Sequence, residues 1–295
     1  MDRILASPGA TLEVLDQFGI RARKKYGQNF LIDANIVRGI IDTAEITRED
    51  CVLEIGPGIG TMTQLLSEAA GQVVCVEIDE SLKPVLAYTL SDCPNVTILW
   101  QDVLKTDLQA LRDQYAPGRR MKVVANLPYY VTTPILMMLL EQQDLFESIT
   151  VMVQKEVADR ICAGPGSKEY GAISLAVQYY AQPEAAIRVA PSCFIPHPNV
   201  DSTVLYLKAY EQPPVDADKE LMFALIRAAF NQRRKTLANA VSHGLQAPFG
   251  PYTRQQVENA LKSMNLPETA RGETLGLEQY AALSKYLGYD TLNPV

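Results

Sequence analysis

Asn126-Leu127-Pro128-Tyr129 sets a side-chain amide, a backbone carbonyl, a proline and an aromatic ring side by side. The amide oxygen of Asn126 and the carbonyl of Leu127 are two neighbouring acceptors, and Pro128 restricts the backbone that carries the second. Such a pair suits a planar amine with two hydrogens, for which the N6 group of adenine is the model. That amine is a poor nucleophile because its lone pair is delocalised into the ring. Accepting both hydrogens draws the nitrogen towards tetrahedral geometry and aims the lone pair outward, with no strong base required. Tyr129 offers a ring on which a base removed from its own stack can lie.

A second constellation lies upstream. The run Leu53-Glu54-Ile55 reads as a strand that enters Gly56-Pro57-Gly58-Ile59-Gly60-Thr61, with a helix beginning at once. A glycine turn at a strand's carboxyl end lets a ligand approach the backbone closely. About twenty residues later, Glu77 ends the next strand in Val76-Glu77-Ile78-Asp79, where doubly wound folds place an acid on ribose hydroxyls. Asp102, in Gln101-Asp102-Val103-Leu104, stands at the end of a third strand, either as an acceptor for an adenine amino group or as a helix cap. Both S-adenosylmethionine methyltransferases and nicotinamide dehydrogenases use this geometry. The dinucleotide fingerprint requires a third glycine where Thr61 stands, and Gly60 comes one residue early, which favours the methyltransferase.

The elements that must hold these residues follow from hydrophobic pattern. Strand-like runs at Cys51–Ile55, Gln72–Glu77, Val96–Trp100, Lys122–Asn126 and Ile149–Gln154 alternate with helical segments, the pattern of a parallel sheet covered by helices. Ile36, Val37, Ile40, Ile41 and Ala44, then Met62, Leu65, Leu66 and Ala69, recur at helical spacing and read as core. The motif at Asn126 precedes an apolar helix, with Thr133 as its expected cap and Pro134 in its first turn. Two more strands, Ala185–Ala190 and Thr203–Lys208, flank a proline-rich turn and fit an antiparallel edge pair. The acidic, proline-bearing stretch Glu211–Asp218 reads as a linker. Helices follow it, one opened by a Thr253/Gln256 capping box and a last one over Leu277–Leu287. Two domains are expected, 1–210 for cofactor and catalysis and 211–295 all-helical.

Composition limits the partners. The first thirty residues lack the uninterrupted apolar centre of a signal peptide, and no run approaches the ~18 apolar residues of a membrane span, so a cytoplasmic protein with no membrane partner is expected. Cys51, Cys75, Cys93, Cys162 and Cys193 are widely spaced, with only His197 and His243 beside them, which predicts free thiols, no metal, and no zinc deaminase chemistry. A net charge of −7 disfavours a polyanionic partner, yet the cations are clustered: Arg21, Arg23, Lys24 and Lys25; Arg119, Arg120 and Lys122; and Arg233, Arg234 and Lys235. Each cluster is either a solvated face or a phosphate contact.

Gly27-Gln28-Asn29-Phe30-Leu31-Ile32-Asp33, Glu54 to Thr61, Asn126 to Ile135 and Phe194-Ile195-Pro196-His197-Pro198-Asn199-Val200-Asp201-Ser202 occur together and in order. In this the chain resembles the ribosomal RNA adenine dimethyltransferase family over nearly its whole length. The resemblance implies an α/β fold, with a Rossmann-like class I methyltransferase domain on a mostly parallel seven-stranded sheet and a smaller helical C-terminal domain for rRNA recognition. S-adenosyl-L-methionine is the implied cofactor. It implies that the segment around Phe30 closes over that cofactor, adding Asn29 and Leu31 to Gly56, Glu77, Asp102 and Asn126 as binding residues. Phe194, set between prolines, becomes a second stacking face beside Asn126, Leu127, Pro128 and Tyr129. Phe230 to Asn239 and Arg271 to Leu275 resemble the helical domain of the branch that dimethylates two adjacent adenosines near the 3′ end of 16S rRNA. A monomer with the small ribosomal subunit as partner, acting in ribosome biogenesis, is then expected. The alternatives are the 23S rRNA resistance branch and an assembly factor acting mainly by binding.

Overall fold

The structure is a computed structural model that describes residues 5–21, 23 and 27–292. Nine strands and twelve α-helices follow in chain order among them. The strands are β1 (Phe30–Leu31), β2 (Cys51–Ile55), β3 (Gln72–Glu77), β4 (Val96–Trp100), β5 (Met121–Asn126), β6 (Phe146–Gln154), β7 (Ala181–Val189), β8 (Phe194–Ile195) and β9 (Ser202–Ala209). Seven form one sheet in the order β4-β3-β2-β5-β6-β9-β7. β4, β3, β2, β5 and β6 pair in parallel, and β9 runs antiparallel to β6.

The central strands are continuous apolar runs because both faces of a parallel sheet are covered. Every residue of β2 is buried, including Glu54. The order reverses at β2, whose neighbours β3 and β5 lead to opposite sides of the sheet. A crevice must open there, above the carboxyl ends of the strands.

The helices of this part are α1 (Pro8–Gln17), α2 (Ala34–Thr43), α3 (Thr61–Ala69), α4 (Lys83–Thr89), α5 (Leu108–Tyr115) and α6 (Thr132–Glu141). Asp33 caps α2 by accepting from the Asn35 and Ile36 N–H groups, and α2 buries Val37, Ile40 and Ile41. α3 buries Met62, Leu65 and Leu66 against the same core cluster. Its N-cap is Gly60 at φ 91°, a left-handed conformation that only glycine adopts cheaply. A Cβ there would meet Leu90 at 3.0 Å and Thr89 at 3.1 Å. The cap expected at Thr133 is corrected: α6 begins at Thr132, its N-cap Val131 has no side-chain bond, and Thr132 Oγ1 donates to the Pro128 carbonyl at 3.1 Å.

The remaining helices are α7 (Lys155–Cys162), α8 (Ala172–Tyr180), α9 (Lys219–Asn231), α10 (Leu237–Gly244), α11 (Arg254–Ser263) and α12 (Leu277–Leu292). The Thr253/Gln256 capping box opens α11, and Glu211–Asp218 is free of helix and strand. Two compact units result, and the single boundary at 210/211 is corrected. Residues up to 158 and 182–209 form the first, whereas 159–181 join 210 onward in the second. The second unit closes on a buried tyrosine, Tyr170, whose hydroxyl donates to the Leu275 carbonyl at 2.9 Å. No helix among the described residues is long and apolar enough to cross a membrane.

Candidate active site

One crevice, wholly within the first unit, collects the carboxyl ends of β2, β3 and β5, the turn after β4, and the segment 27–31. It encloses about 1130 Å³, solvent at its mouth included. Gly56 lies at φ 70°, and a Cβ built on it would meet nothing within 4 Å, so the turn leaves its backbone bare towards the crevice.

Glu77 is 5% exposed, and its two oxygens accept from the Gly58 N–H at 3.3 Å and the Asp79 N–H at 2.7 Å. Burial raises its pKa, against the pull of those two N–H groups. Each oxygen keeps a lone pair for a ligand hydroxyl. Asp102 takes the cap role, its Oδ1 accepting from the Leu104 N–H at 3.0 Å over the turn Val103–Lys105, and it also lines the crevice.

Glu54 is the residue that sequence reasoning missed. It is 1% exposed yet lines the crevice, and burial pushes its carboxyl up to about 7. The Cys75 thiol donates to Oε2 at 3.4 Å and opposes that shift. Oε1 has no hydrogen-bond partner among the described residues. A buried carboxylate oxygen without a donor is costly, and a cationic ligand group would remove the cost. The available signal was an acid inside an otherwise apolar strand.

The segment 27–31 is held as a strap across this half. Asp79 accepts from Arg23 Nη1 at 3.2 Å, Gln28 Nε2 at 3.1 Å and Ser81 Oγ at 2.6 Å. Phe30 and Leu31 are buried and pair with Ile195 and Phe194 as a two-stranded sheet, β1 with β8. Phe30 packs on the glycine turn, where a Cβ on Gly58 would touch its ring at 3.4 Å. Asn29 and Leu31 both line the crevice.

The acceptor half faces the strap. Asn126 Nδ2 donates to the Asn29 carbonyl at 3.1 Å, which commits the amide nitrogen and leaves the amide oxygen for another donor. Leu127 N–H donates to the Met152 carbonyl at 3.2 Å, continuing the strand pairing into the loop. Tyr129 is fixed at its far end, 2.7 Å from Ser202 Oγ on β9. Burial raises the Tyr129 pKa, and the Ser202 bond opposes it. Asn126, Leu127, Pro128 and Tyr129 all line the crevice with Gly56, Glu77 and Asp102.

Other expected residues are not brought there. Phe194, expected on a rigid presenting loop, is 1% exposed and belongs to the core cluster that contains Leu31, so it is a partner of the strap. Arg21 is exposed, and Lys24 and Lys25 lie outside the described residues. The Arg23 guanidinium is spent on Asp79. In the second unit, Arg233 is paired with Glu273 and donates to the Ser167 carbonyl at 3.2 Å, while Arg234 and Lys235 are exposed.

The chain has relatives over nearly its whole length. The family model described as ribosomal RNA adenine dimethylase matches residues 19–283. A curated protein of Alkaliphilus metalliredigens called ribosomal RNA small subunit methyltransferase A is 50% identical, covering 97% of this chain and 98% of its own. Its namesake in Lachnoclostridium phytofermentans is 52% identical over 95% and 96%. Among solved structures, a dimethyladenosine transferase from Plasmodium falciparum shares the fold at TM-score 0.72 and 23% identity, over 89% of this chain and 98% of that one. The 23S rRNA methyltransferase ErmE superposes at TM-score 0.68 with 26% identity, over 88% and 100%. With the glycine turn, Glu77 and the Asn126 loop on one crevice, and a family match spanning most of its length, the chain belongs to the ribosomal RNA adenine dimethylase family.

Proposed function

We propose that this protein transfers methyl groups from S-adenosyl-L-methionine to N6 of two adjacent adenosines near the 3′ end of 16S rRNA in the small ribosomal subunit, as a cytoplasmic monomer. The observation that carries the reading is the committed amide of Asn126, whose oxygen is left for the acceptor amine on the crevice shared with Glu77. Curated relatives near 50% identity over almost the full chain carry the small-subunit name and support that branch over the large-subunit one.

The residues present fit the cofactor. Glu77 would hold its ribose hydroxyls and Asp102 its adenine amino group, between the exposed apolar side chains of Ile78 and Leu104. Glu54 Oε1 would meet its ammonium group, and Gly56 would admit its chain against the backbone. When bound, it supplies a methyl carbon made electrophilic by the sulfonium.

The chain's own task is to position the amine. Asn126 Oδ1 and the Leu127 carbonyl accept the two N6 hydrogens, so the nitrogen lone pair points across the crevice. Thr132, bonded to the Pro128 carbonyl, keeps the loop in register, and Tyr129 stacks on the base with its ring held by Ser202. The surplus proton leaves to water, and in a second round the monomethylated amine, rotated about its bond to the ring, donates its one remaining hydrogen to one of the two acceptors while its lone pair again faces the methyl donor. Arg21, Arg234 and Lys235 supply phosphate contacts, the last two from a helical unit that recognises rRNA.

Incubation with labelled S-adenosylmethionine and unmethylated small or large subunits, followed by digestion and mass identification, tests the reading. Label in N6,N6-dimethyladenosine from small subunits is expected. Label on cytosine, or on large subunits alone, overturns it.

A further inference from the structure

Three exposed apolar side chains line the crevice: Ile78, Leu104 and Tyr130. The first two flank the cofactor half and are accounted for above. Tyr130 is the most exposed of the three at 63%, lies beside Gly27, and has no part in the positioning of N6.

Its setting is that of a platform. One side of the ring is backed by the strap: a Cβ built on Gly27 would meet Tyr130 Cδ1 at 3.4 Å and Cε1 at 3.5 Å. Gly27 sits at φ 58°, so glycine is favoured there on backbone grounds as well, and the missing side chain leaves room for the ring to lie against the strap. The same Cβ would meet Pro128 Cβ at 3.4 Å, so Gly27, which backs the ring, also lies against the proline of the catalytic loop. The rest of the ring is open, and its hydroxyl has no hydrogen-bond partner among the described residues. Its chain neighbour Tyr129 differs in each respect, being half-buried and bonded to Ser202.

We propose that Tyr130 is the stacking platform for the nucleotide adjoining the target adenosine, so that Tyr129 and Tyr130 receive two consecutive bases of one strand. The inference rests on the reading of the crevice as an RNA adenine site. Drawing one base out of a strand leaves its neighbour without a stacking partner on that side, and an exposed ring at the mouth replaces it. Stacking tolerates any base, so this subsite contributes affinity and register without selecting sequence.

Steady-state methylation of small subunits by Tyr130→Ala, Tyr130→Leu and Tyr130→Phe proteins tests this, with the S-adenosylmethionine Kd of each measured by calorimetry. Loss of one base–aromatic stack predicts about a tenfold rise in KM for subunits in the Ala and Leu variants, near-wild-type behaviour for Phe, and an unchanged cofactor Kd. Leu keeps apolar bulk without a π face, so it separates stacking from packing. A KM unchanged in Tyr130→Ala, a Leu variant that behaves as wild type, or a parallel loss of cofactor affinity overturns the proposal. Asn126→Ala in the same assay distinguishes the two levels: if it abolishes transfer while Tyr130→Ala is silent, only the platform is wrong, and if it transfers normally, the adenine reading itself falls.

Discussion

The two halves of the crevice are built differently. The cofactor half is made of strand ends: Glu54, Glu77 and the glycine turn follow directly from buried parallel strands, and the Glu77 carboxylate is held by backbone N–H groups. The acceptor half is the last residue of β5 and the loop that follows it, whose working groups are held by side-chain bonds to distant elements, Asn126 to the strap and Tyr129 to β9. A site for an invariant small molecule can be fixed by the sheet. A site that must admit a base from a large RNA is fixed by a few bonds around an open mouth. Substitutions should therefore separate the halves by which parameter they move.

The largest effect is expected at Asn126. Asn126→Ala removes an acceptor whose value is realised as the amine reacts, and kcat should fall by roughly a hundredfold or more, read in single-turnover transfer to small subunits. Next comes Glu77→Gln, which weakens charge-assisted bonds to ribose and should raise the cofactor Kd roughly tenfold to a hundredfold by calorimetry, with subunit affinity unchanged. Ser202→Ala leaves the Tyr129 hydroxyl without its partner and loosens the ring. A rise of roughly threefold to tenfold in KM for subunits is expected, with a Tyr129→Phe background cancelling most of it in a double-mutant cycle.

The smallest effect is a slope. Glu54 titrates near 7 in the folded protein instead of the ordinary 4.5, with burial the largest cause and Glu77 adding to it. Below the lower value both folded and unfolded chains hold the proton. Between the two values the unfolded chain releases it and the folded one does not, so stability falls as pH rises through this window. Glu54→Gln should remove that slope: the melting temperature of the ligand-free variant, relative to the parent, should climb between about pH 5 and pH 8. A constant offset across the range would mean that Glu54 keeps its ordinary titration.

This contrast also explains what the sequence made legible. Glu77, Asp102 and Asn126 stand at strand ends, and strand ends follow from local pattern, so their shared crevice was readable. Bonds across long separations were not: Asn126 meets Asn29 97 residues away, and the pairing of β1 with β8 involves two residues on each side, too few for a period. Phe194 misled because prolines on both sides imitate a presenting loop, while the ring is taken up by the core beneath the strap. The unit boundary failed for the same reason. Residues 159–181 contain a glycine-proline turn, Gly164-Pro165-Gly166-Ser167, but no local pattern ties them to the C-terminal helices, and their place there is set by contacts such as Tyr170 to Leu275, 105 residues apart. Glu54 was read as one more strand residue because burial of an acid becomes visible only in three dimensions.

The account rests on the claim that cofactor binding and amine positioning reside in separable groups on one crevice. The direct measurement takes Asn126→Ala and Glu77→Gln side by side, with S-adenosylmethionine Kd by calorimetry and single-turnover methylation of small subunits at saturating cofactor. The prediction is a crossing: Asn126→Ala keeps most of its cofactor affinity and loses transfer, and Glu77→Gln loses affinity and recovers transfer at saturation. Two variants that lose both properties together, or an Asn126→Ala protein that transfers at the parental rate, would contradict it.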